Sequence, residues 1–431
     1  MNEVAQQLNQ QIQAENPHVY ELLSDLGKEL YYPKGILTQT AEANQKAFRF
    51  NATIGIATEQ GHPMYLPVIN ETLSAFAPED LYDYAPPQGK AELRKVWREK
   101  LLEDNPSLRG KSYGMPIVTN ALTHGLSTAA DLFLSKKDAL VVPEKLWGNY
   151  NMIFGTRRDA RIVTYPFYTD DGQINVQAMK DALLSEKSNG KAMLLLNFPN
   201  NPTGYTPNEE EANAIVNAIK EVAEEGMNLV VVSDDAYFGL FYEDSITESL
   251  FGRLANLHPR VLPVKVDGPT KEEYVWGFRV GFITFASESQ IILDALEAKT
   301  KGIIRGTISN ASHPAQTFVL QALKSPEFKQ QKQEKYEILK ARATKVKGLL
   351  YSGRYDDAWD VYPFNSGYFM CVKLKRVNAE QLRKHLLEKY GVGVISLGSS
   401  DIRVAFSCVE EKDIEDLYDL IYKGVKDLEN A

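Results

Sequence analysis

Through the middle of the chain, short apolar segments alternate with helix-like segments, and polar residues follow the apolar segments. The apolar segments predict strands at residues 117–120, 139–142, 161–165, 193–196 and 229–232. The last of them, Leu229-Val-Val-Val232, is apolar throughout, which is typical of a parallel strand buried on both faces. Parallel strands joined by amphipathic helices form an α/β fold, so the sequence predicts a mainly parallel sheet with flanking helices.

One predicted helix carries its own start and stop signals. The segment Thr206-Pro207-Asn208-Glu209 predicts an N-cap threonine, a proline at the first helical position and a capping-box glutamate. Gly226 is the predicted end of the helix. The apolar stripe between these signals consists of Ala212, Ile215, Val216, Ile219 and Val222.

At 431 residues the chain is too long for one ordinary domain, and its pattern changes after about residue 325. A long charged helix is predicted there, followed by a strand at 367–374, a helix at 379–390 and a strand at 402–406. We therefore predict an N-terminal arm with part of a small domain (1–60), a large domain (61–324) and a C-terminal small domain of α+β type (325–431).

Composition excludes several classes of partner. A net charge of −9 argues against a nucleic-acid-binding or anionic-membrane surface, and no apolar run approaches membrane-spanning length. The two cysteines, Cys371 and Cys408, lack metal-ligand spacing, and so do the six histidines. We expect a cytoplasmic protein that binds no metal, no nucleic acid and no membrane.

Three polar motifs follow predicted strands and carry residues suited to carbonyl chemistry: Asn201-Pro-Thr-Gly204, Asp234-x-Ala-Tyr237 and Lys271-x7-Arg279-x-Gly281. Each has an ordinary explanation when taken alone, as a turn former, a helix cap with a core tyrosine, or a solvated lysine. A partly desolvated lysine, however, loses its proton readily and attacks carbonyl groups. Because ligands bind beyond the carboxyl ends of parallel strands, we expect the motifs to meet in one cleft.

The joint order and spacing of these motifs resemble the class I/II aminotransferases, pyridoxal-phosphate enzymes of the aspartate aminotransferase superfamily (fold type I). The resemblance covers roughly residues 50–410. It implies a pyridoxal 5′-phosphate enzyme with a large cofactor-binding domain and a smaller α+β domain. It also implies ping-pong transfer of an amino group between an amino acid, either aspartate or glutamate or an aromatic one, and a 2-oxo acid.

The resemblance assigns catalytic roles to three residues. Lys271 matches the lysine that forms a Schiff base with the cofactor and then moves a proton between the substrate Cα and the cofactor C4′. Asp234 matches the carboxylate that pairs with the pyridinium nitrogen, since a nearby carboxylate favours the charged form. Tyr237 matches a hydrogen-bonding partner of the ring's phenolate oxygen. Lys265 lies nearby as a rival, but only Lys271 has the family's spacing to Arg279.

Further residues are implied as contacts of the cofactor ring. Asn201 matches a second partner of the phenolate oxygen, beside Tyr237. Ala236 would pack beneath the ring, and Trp147 matches the aromatic residue that stacks on its other face. These positions all lie just after predicted strands.

The resemblance also implies how the cofactor phosphate is held. Arg279 offers a bidentate charged contact, and the turn Ala121-Leu122-Thr123 offers backbone N–H groups and one hydroxyl. Tyr84 matches a tyrosine that reaches this phosphate from the partner subunit, which implies a homodimer with shared active sites. Two features depart from the family: the turn lacks its glycine, and a serine expected before the lysine is absent, with Thr270 as the expected substitute.

Two arginines are implied in substrate binding. Arg403 matches the arginine that binds the substrate α-carboxylate, with Gly55 and Asn201 beside it. Arg305 lies in a segment similar to the one that sends an arginine across the dimer to the distal carboxylate of aspartate or glutamate. Aromatic aminotransferases related to the aspartate enzyme keep the same arginine and move it aside, so both donor classes stay open.

Two other functions remain as alternatives. A carbon–sulfur lyase or a decarboxylase on the same fold would keep Lys271, Asp234 and Arg279, although Arg305 favours amino transfer. A non-catalytic ligand sensor fused to a DNA-binding module is the third possibility. The short, non-basic N-terminus argues against it, because it leaves no room for a helix-turn-helix.

Overall fold

The structure is a computed structural model that describes residues 2–15, 23, 28, 36–53, 55–71 and 76–430. The predicted arm (1–60) therefore lies partly outside the described residues. The strands, numbered in chain order, are β1 (Phe50–Asn51), β2 (Thr58–Glu59), β3 (His62–Pro63), β4 (Ile117–Asn120), β5 (Ala139–Pro143), β6 (Arg161–Tyr165), β7 (Lys191–Asn197), β8 (Asn228–Asp234), β9 (Val261–Asp267), β10 (Val280–Phe285), β11 (Trp359–Val361), β12 (Phe369–Leu374), β13 (Val392–Gly393), β14 (Ile395–Leu397) and β15 (Asp401–Ala405).

The α-helices are Glu3–Glu15, Ile36–Lys46, Pro67–Glu71, Pro78–Leu81, Ala91–Asp104, Ala121–Phe133, Val176–Leu184, Glu209–Glu224, Leu250–Leu254, Pro269–Glu272, Gln290–Thr307, His313–Lys324, Phe328–Leu350, Ala379–His385 and Ile414–Glu429. Short 3₁₀ and π-helical turns lie at Pro106–Leu108, Asn151–Thr156, Lys187–Asn189, Trp276–Phe278, Leu386–Tyr390, Phe406–Cys408 and Glu411–Asp413. Across the described residues, no helix is both long and apolar enough to cross a membrane.

A seven-stranded sheet forms the centre of the molecule, in the order β4-β10-β9-β8-β7-β5-β6. In the sheet as described, β10 runs antiparallel to both neighbours, β4 and β9, and the other neighbouring pairs are parallel. The predicted mainly parallel α/β sheet is therefore confirmed. The parallel register also sets Asn197 beside Asp234 and Ser233 beside Lys265, which brings polar strand ends together.

Both faces of this sheet are buried, which explains the uninterrupted apolar strands. Alternate residues of a strand point to opposite faces. Leu195 and Val232 accordingly join one core cluster, whereas Leu194 and Val231 join another with residues of helices Val176–Leu184 and Glu209–Glu224. The strands are thus fixed between two apolar layers, and the residues at their ends are held in constant positions.

The start of helix Glu209–Glu224 differs from the sequence prediction. Asn208, not Thr206, is the N-cap, and its capping-box partner is Glu211, not Glu209. Thr206 is engaged elsewhere, since its backbone N–H donates to Asn365 Oδ1 at 2.9 Å. This contact across 159 residues displaces the helix start by two positions, which no local pattern reveals.

A second sheet lies in the C-terminal part of the chain, in the antiparallel order β11-β12-β15-β14. The N-terminal strand β1 pairs in parallel with β13, and the N–H of Ala405 donates to the carbonyl of Ala52 at 2.9 Å. Residues near 50 therefore pack on the C-terminal part. The division into segments 1–60, 61–324 and 325–431 stays a prediction.

Gly204 offers a test of how tightly the two sheets are joined. Its φ is +76°, and a methyl group added there would lie 2.0 Å from the carbonyl oxygen of Phe369. We expect Gly204→Ala to lower the free energy of unfolding by about 3 kcal/mol or more, because positive φ and steric overlap add. Urea unfolding midpoints measure the change.

Gly226 is the matched control, since its φ is +96° but an added methyl meets no described atom within 4 Å. Gly226→Ala should cost only about 1–2 kcal/mol, from backbone strain alone. Equal losses in the two variants would contradict the steric argument.

Candidate active site

A pocket lies at the carboxyl ends of β7, β8 and β9. An α/β sheet with helices on both faces binds its ligands at this edge. Its walls are formed by Leu122, Thr123, Leu126, Trp147, Tyr150, Asn197, Asn201, Asp234, Ala236, Tyr237 and Lys271. The structure thus brings eight residues predicted for the site into one pocket: Leu122, Thr123, Trp147, Asn201, Asp234, Ala236, Tyr237 and Lys271. A wider groove between helices Ala91–Asp104 and Phe328–Leu350 contains none of the predicted site residues.

Asp234, the last residue of β8, presents an open hydrogen-bond acceptor. The hydroxyl of Tyr150 donates to its Oδ2 at 2.5 Å, and the side chain of Asn197 donates to its backbone carbonyl at 2.9 Å. Its Oδ1 is buried and has no hydrogen-bond partner among the described residues. Burial raises the pKa of Asp234 to about 6, against the Tyr150 hydrogen bond and the Lys271 charge, which lower it. A cationic N–H group would satisfy this oxygen and favour the ionised carboxylate.

Lys271 lies on the one-turn helix Pro269–Glu272, which directly follows β9. Its Nζ is 4.7 Å from the centre of the Tyr237 ring. Burial lowers the pKa of Lys271 to about 8; the Asp234 carboxylate opposes this change, and the Arg279 charge adds to it. About a tenth of the amine is therefore unprotonated at pH 7, far more than for an ordinary lysine, as a nucleophile or a base requires.

The rival lysine, Lys265, is committed to another task. It is fully buried, and its Nζ forms an ion pair with Asp235 and lies 3.5 Å from Asp267 Oδ2. The indole N–H of Trp97 also donates to Asp267, at 3.2 Å. Because Lys265 neutralises two buried carboxylates and does not line the pocket, Lys271 is the lysine of the site.

The phosphate-binding segment predicted from the sequence lies where β4 meets β10. Ala121 has a φ of +62°, and helix Ala121–Phe133 begins there with Leu122 and Thr123 at the pocket. A methyl group at Gly281 would lie 2.6 Å from the carbonyl carbon of Ala121, so this close approach requires glycine. The first N–H groups of a helix, together with its dipole, favour an anion.

Two further residues flank this turn. Arg279 precedes β10, is exposed, and donates to the carbonyl of Trp276 at 3.2 Å. Thr270 is buried, and its hydroxyl donates to the carbonyl of Val280 at 3.4 Å, which is a long hydrogen bond. A guanidinium and a hydroxyl are therefore available beside the helix start.

Arg403, the residue predicted to bind the substrate α-carboxylate, lies in β15. Its Nη1 donates to Asn201 Oδ1 at 2.9 Å, its Nη2 donates to the carbonyl of Thr53 at 3.1 Å, and its guanidinium lies 4.1 Å from the centre of the Phe369 ring. Its Nε is buried and finds no hydrogen-bond partner within the described part of the chain. Gly55 is close by, since a methyl group there would lie 3.6 Å from Phe369 Cζ.

Tyr84 and Arg305 are two of the predicted site residues that do not line the pocket in the described chain. The side chain of Tyr84 is 90% exposed, so no described residue of the chain covers it. Arg305, near the end of helix Gln290–Thr307, is exposed and donates to the hydroxyl of Ser309. Any role of these residues in the site requires a second subunit.

Comparison with known proteins decides the family. The sequence model of the family described as aminotransferase class I and II matches residues 56–421. This chain belongs to that family. It is an aminotransferase, a pyridoxal-phosphate-dependent transferase, and the predicted family and enzyme class are confirmed. The lyase, decarboxylase and ligand-sensor alternatives receive no support.

Relatives of this aminotransferase include the cytoplasmic aspartate aminotransferase of Caenorhabditis elegans, which is 22% identical over 380 residues, covering 84% of this chain and 91% of the relative. An aspartate aminotransferase of Pyrococcus horikoshii is 24% identical over 376 residues, covering 80% and 84%.

Solved structures show the same fold. An aminotransferase from Anaerococcus prevotii has a TM-score of 0.83 at 24% identity, covering 94% of this chain and 99% of that one. A kynurenine aminotransferase from Pyrococcus horikoshii, in complex with PMP, has a TM-score of 0.79 at 18% identity, covering 95% and 98%. The predicted fold type I is therefore confirmed.

Tyr150 is a site residue that the sequence prediction missed. It follows Trp147 by three positions, and its ring packs edge-on against that indole, with ring centres 5.5 Å apart. The sequence feature that points to Tyr150 is the turn after β5, in which the family resemblance gives a role to Trp147 alone. The contact between Tyr150 and Asp234 spans 84 residues and becomes visible only in the fold.

The pKa of Lys271 predicts how the cofactor-free aminotransferase reacts with pyridoxal phosphate. Only the unprotonated amine attacks an aldehyde, so the capture rate should rise with pH through a midpoint near 8, the pKa of Lys271. An ordinary lysine would give a midpoint about two units higher. Reductive trapping at pH 6 to 10, followed by mass spectrometry of Lys271, measures the profile. Lys271→Arg supplies the background, and a midpoint near 10 would contradict the burial argument.

Proposed function

We propose that this aminotransferase acts as a homodimer, holds pyridoxal phosphate on Lys271, and transfers the amino group of a dicarboxylic or aromatic amino acid to a 2-oxo acid. The observation that carries the proposal is that Lys271 and Asp234, whose Oδ1 has no partner among the described residues, line the same pocket. A lysine of lowered pKa and an unsatisfied carboxylate oxygen are the two groups that this cofactor needs at its opposite ends.

When bound, pyridoxal phosphate supplies an aldehyde that takes up the amino group and a ring that withdraws electrons from the substrate Cα. The residues present fit this group. Asp234 Oδ1 would accept the ring N–H, and Tyr237 and Asn201 would hydrogen-bond the ring oxygen. Ala236 and Trp147 would hold the two faces of the ring, as pocket-lining residues.

The phosphate would lie at the start of helix Ala121–Phe133, where Leu122 and Thr123 line the pocket. Their backbone N–H groups and the Thr123 hydroxyl would bind it. Arg279 would supply a bidentate charged contact to the phosphate. Its guanidinium is available for this role, because among the described residues it makes a single hydrogen bond, to the carbonyl of Trp276. Thr270 would give its hydroxyl in place of the serine that the family carries, because its present hydrogen bond is long.

Proton transfer falls to Lys271. With a pKa of about 8, its amine would accept the proton from the substrate Cα and pass it to the cofactor C4′ within the same half-reaction, and it would move a proton the other way in the second half-reaction. Arg403 would orient the substrate by binding its α-carboxylate, with the buried Nε as an additional free donor in the described chain. Asn201 already contacts Arg403 and would share this carboxylate.

Exposure of Tyr84 and Arg305 supports a homodimer whose subunits complete each other's sites. A tyrosine that is 90% exposed is suited to contact another surface. The backbone just before it is held in place, since the carbonyl of Asp83 lies 2.7 Å from His313 Nδ1. Arg305 would bind the distal carboxylate of aspartate or glutamate in the partner's pocket, or move aside for an aromatic side chain. Relatives named aspartate aminotransferase and a fold neighbour that is a kynurenine aminotransferase support keeping both donor classes.

Absorbance spectroscopy tests the proposal directly. The purified protein with pyridoxal phosphate should show a cofactor band that aspartate, glutamate or phenylalanine converts to the amine form and that a 2-oxo acid restores. Lys271→Ala should lower turnover by about a thousandfold or more, because it removes both the nucleophile and the base. A wild-type protein with no cofactor band would refute the assignment.

Arg305 decides the donor class. Arg305→Ala should raise KM for aspartate or glutamate about tenfold or more and leave KM for phenylalanine nearly unchanged, because only the former lose a carboxylate contact. Lys299→Ala, which removes an exposed cation from the same helix, is the matched control and should change neither. An unchanged ratio of the two KM values in Arg305→Ala would eliminate the dicarboxylate assignment.

A further inference from the structure

The turn that carries Lys271 is held from outside the pocket by buried charges. Glu272, the next residue, is 4% exposed, and its Oε1 accepts hydrogen bonds from Lys100 Nζ at 2.9 Å and from Lys332 Nζ. Lys100 belongs to helix Ala91–Asp104, and Lys332 belongs to helix Phe328–Leu350. Two separate helices therefore bind one carboxylate on a helix of a single turn.

Glu272 and Lys271 project to different sides of this turn, because successive helical residues are about 100° apart. Lys271 lines the pocket, whereas Lys100 and Lys332, which bind Glu272, line the wider groove behind it. A second contact fixes the backbone, since the hydroxyl of Tyr368 donates to the carbonyl of Lys271 at 2.9 Å. The turn is thus restrained at the lysine and at the residue after it.

The adjacent Glu273 shows that the arrangement is specific to Glu272. It lies 3.8 Å from Lys100 and 3.6 Å from Lys332, yet neither of its buried carboxyl oxygens accepts a hydrogen bond from the residues that the structure covers. Burial and the Glu272 carboxylate raise the pKa of Glu273. Burial acts in the same direction on Glu272, but the two lysines hold the pKa of Glu272 below its ordinary value. Glu272 is therefore the ionised member of the pair.

We propose that Glu272, bound by Lys100 and Lys332, is a positioning residue that sets the turn so that the Lys271 amine meets the reacting carbon. The inference rests on the proposed function, because that function gives the amine its role. A buried carboxylate paired on two sides resists rotation of the turn, since rotation would break its ion pairs with both lysines. Lys332 also ties the turn to the C-terminal part of the chain, which carries Arg403.

Two variants test this role. Glu272→Gln keeps the shape of the side chain and removes its charge. Lys332→Met removes the other charge of the ion pair; because Lys332 is more exposed than Lys100, this variant should fold even if Glu272→Gln does not. In each, the plateau rate of pyridoxal phosphate capture by cofactor-free protein should fall about ten- to a hundredfold, with kcat falling in parallel. The capture midpoint should stay near pH 8, the pKa of Lys271, and KM for the amino acid should change by less than about twofold.

Asp104→Asn is the matched control. Asp104 pairs with the same Lys100, at 2.5 Å, but lies outside the Lys271 turn, so its variant should keep the wild-type capture rate. In the double variant of Glu272 and Lys332, the fold decrease in capture rate should be smaller than the product of the two single decreases, because both substitutions remove the same ion pair.

Two results would overturn the positioning role, and they differ in whether they also refute the proposed function. If Glu272→Gln keeps wild-type kcat and capture rate while only its melting temperature falls, Glu272 is merely structural and the proposed function stands. If wild-type protein neither captures pyridoxal phosphate nor transfers an amino group, the proposed function fails and the positioning role fails with it.

Discussion

Pairing of buried charges where β8 and β9 end determines which groups are free to react. Burying an ion is costly unless an opposite charge or a hydrogen bond compensates it. Lys265 compensates Asp235 and Asp267 on one side of these strand ends. Asp234, which is buried, and Lys271, which is partly buried, remain on the other side, and each is only partly compensated. This arrangement favours ligand binding, because a ligand that donates a hydrogen bond to Asp234 Oδ1 or reacts with the Lys271 amine removes part of the cost of burying these groups.

Local sequence patterns predict five of the seven strands of the central sheet, β4 to β8, but give no bounds for β9 and β10. With the order and spacing of the polar motifs, they predict Asp234, Tyr237 and Lys271 as neighbours. They do not predict contacts between distant segments. Tyr150 reaches Asp234 across 84 residues, and Asn365 displaces a helix start by engaging Thr206 across 159. Such contacts depend on how the layers stack, which no single stretch of sequence encodes.

Other residues are predictable only through resemblance to a family. Tyr84 and Arg305 are exposed in the described chain, and no feature of the single subunit distinguishes them from ordinary surface residues. The physical reason is that a site shared between subunits is complete only in the assembly. In the proposed homodimer, donor specificity would therefore depend on the least predictable part of the site, and cofactor chemistry on the most predictable part.

The hydrogen bonds around Gly204 have a consequence for biosynthesis. The Gly204 carbonyl accepts from the N–H groups of Asn365 and Ser366, each at 2.9 Å, and the Asn365 side chain donates to the Thr206 carbonyl at 2.8 Å. These residues brace the loop that carries Asn201. A nascent chain emerges from its N-terminus onward. The strands of the central sheet are therefore synthesised before Asn365 and Ser366, so the hydrogen bonds that hold the Asn201 loop can form only late in translation.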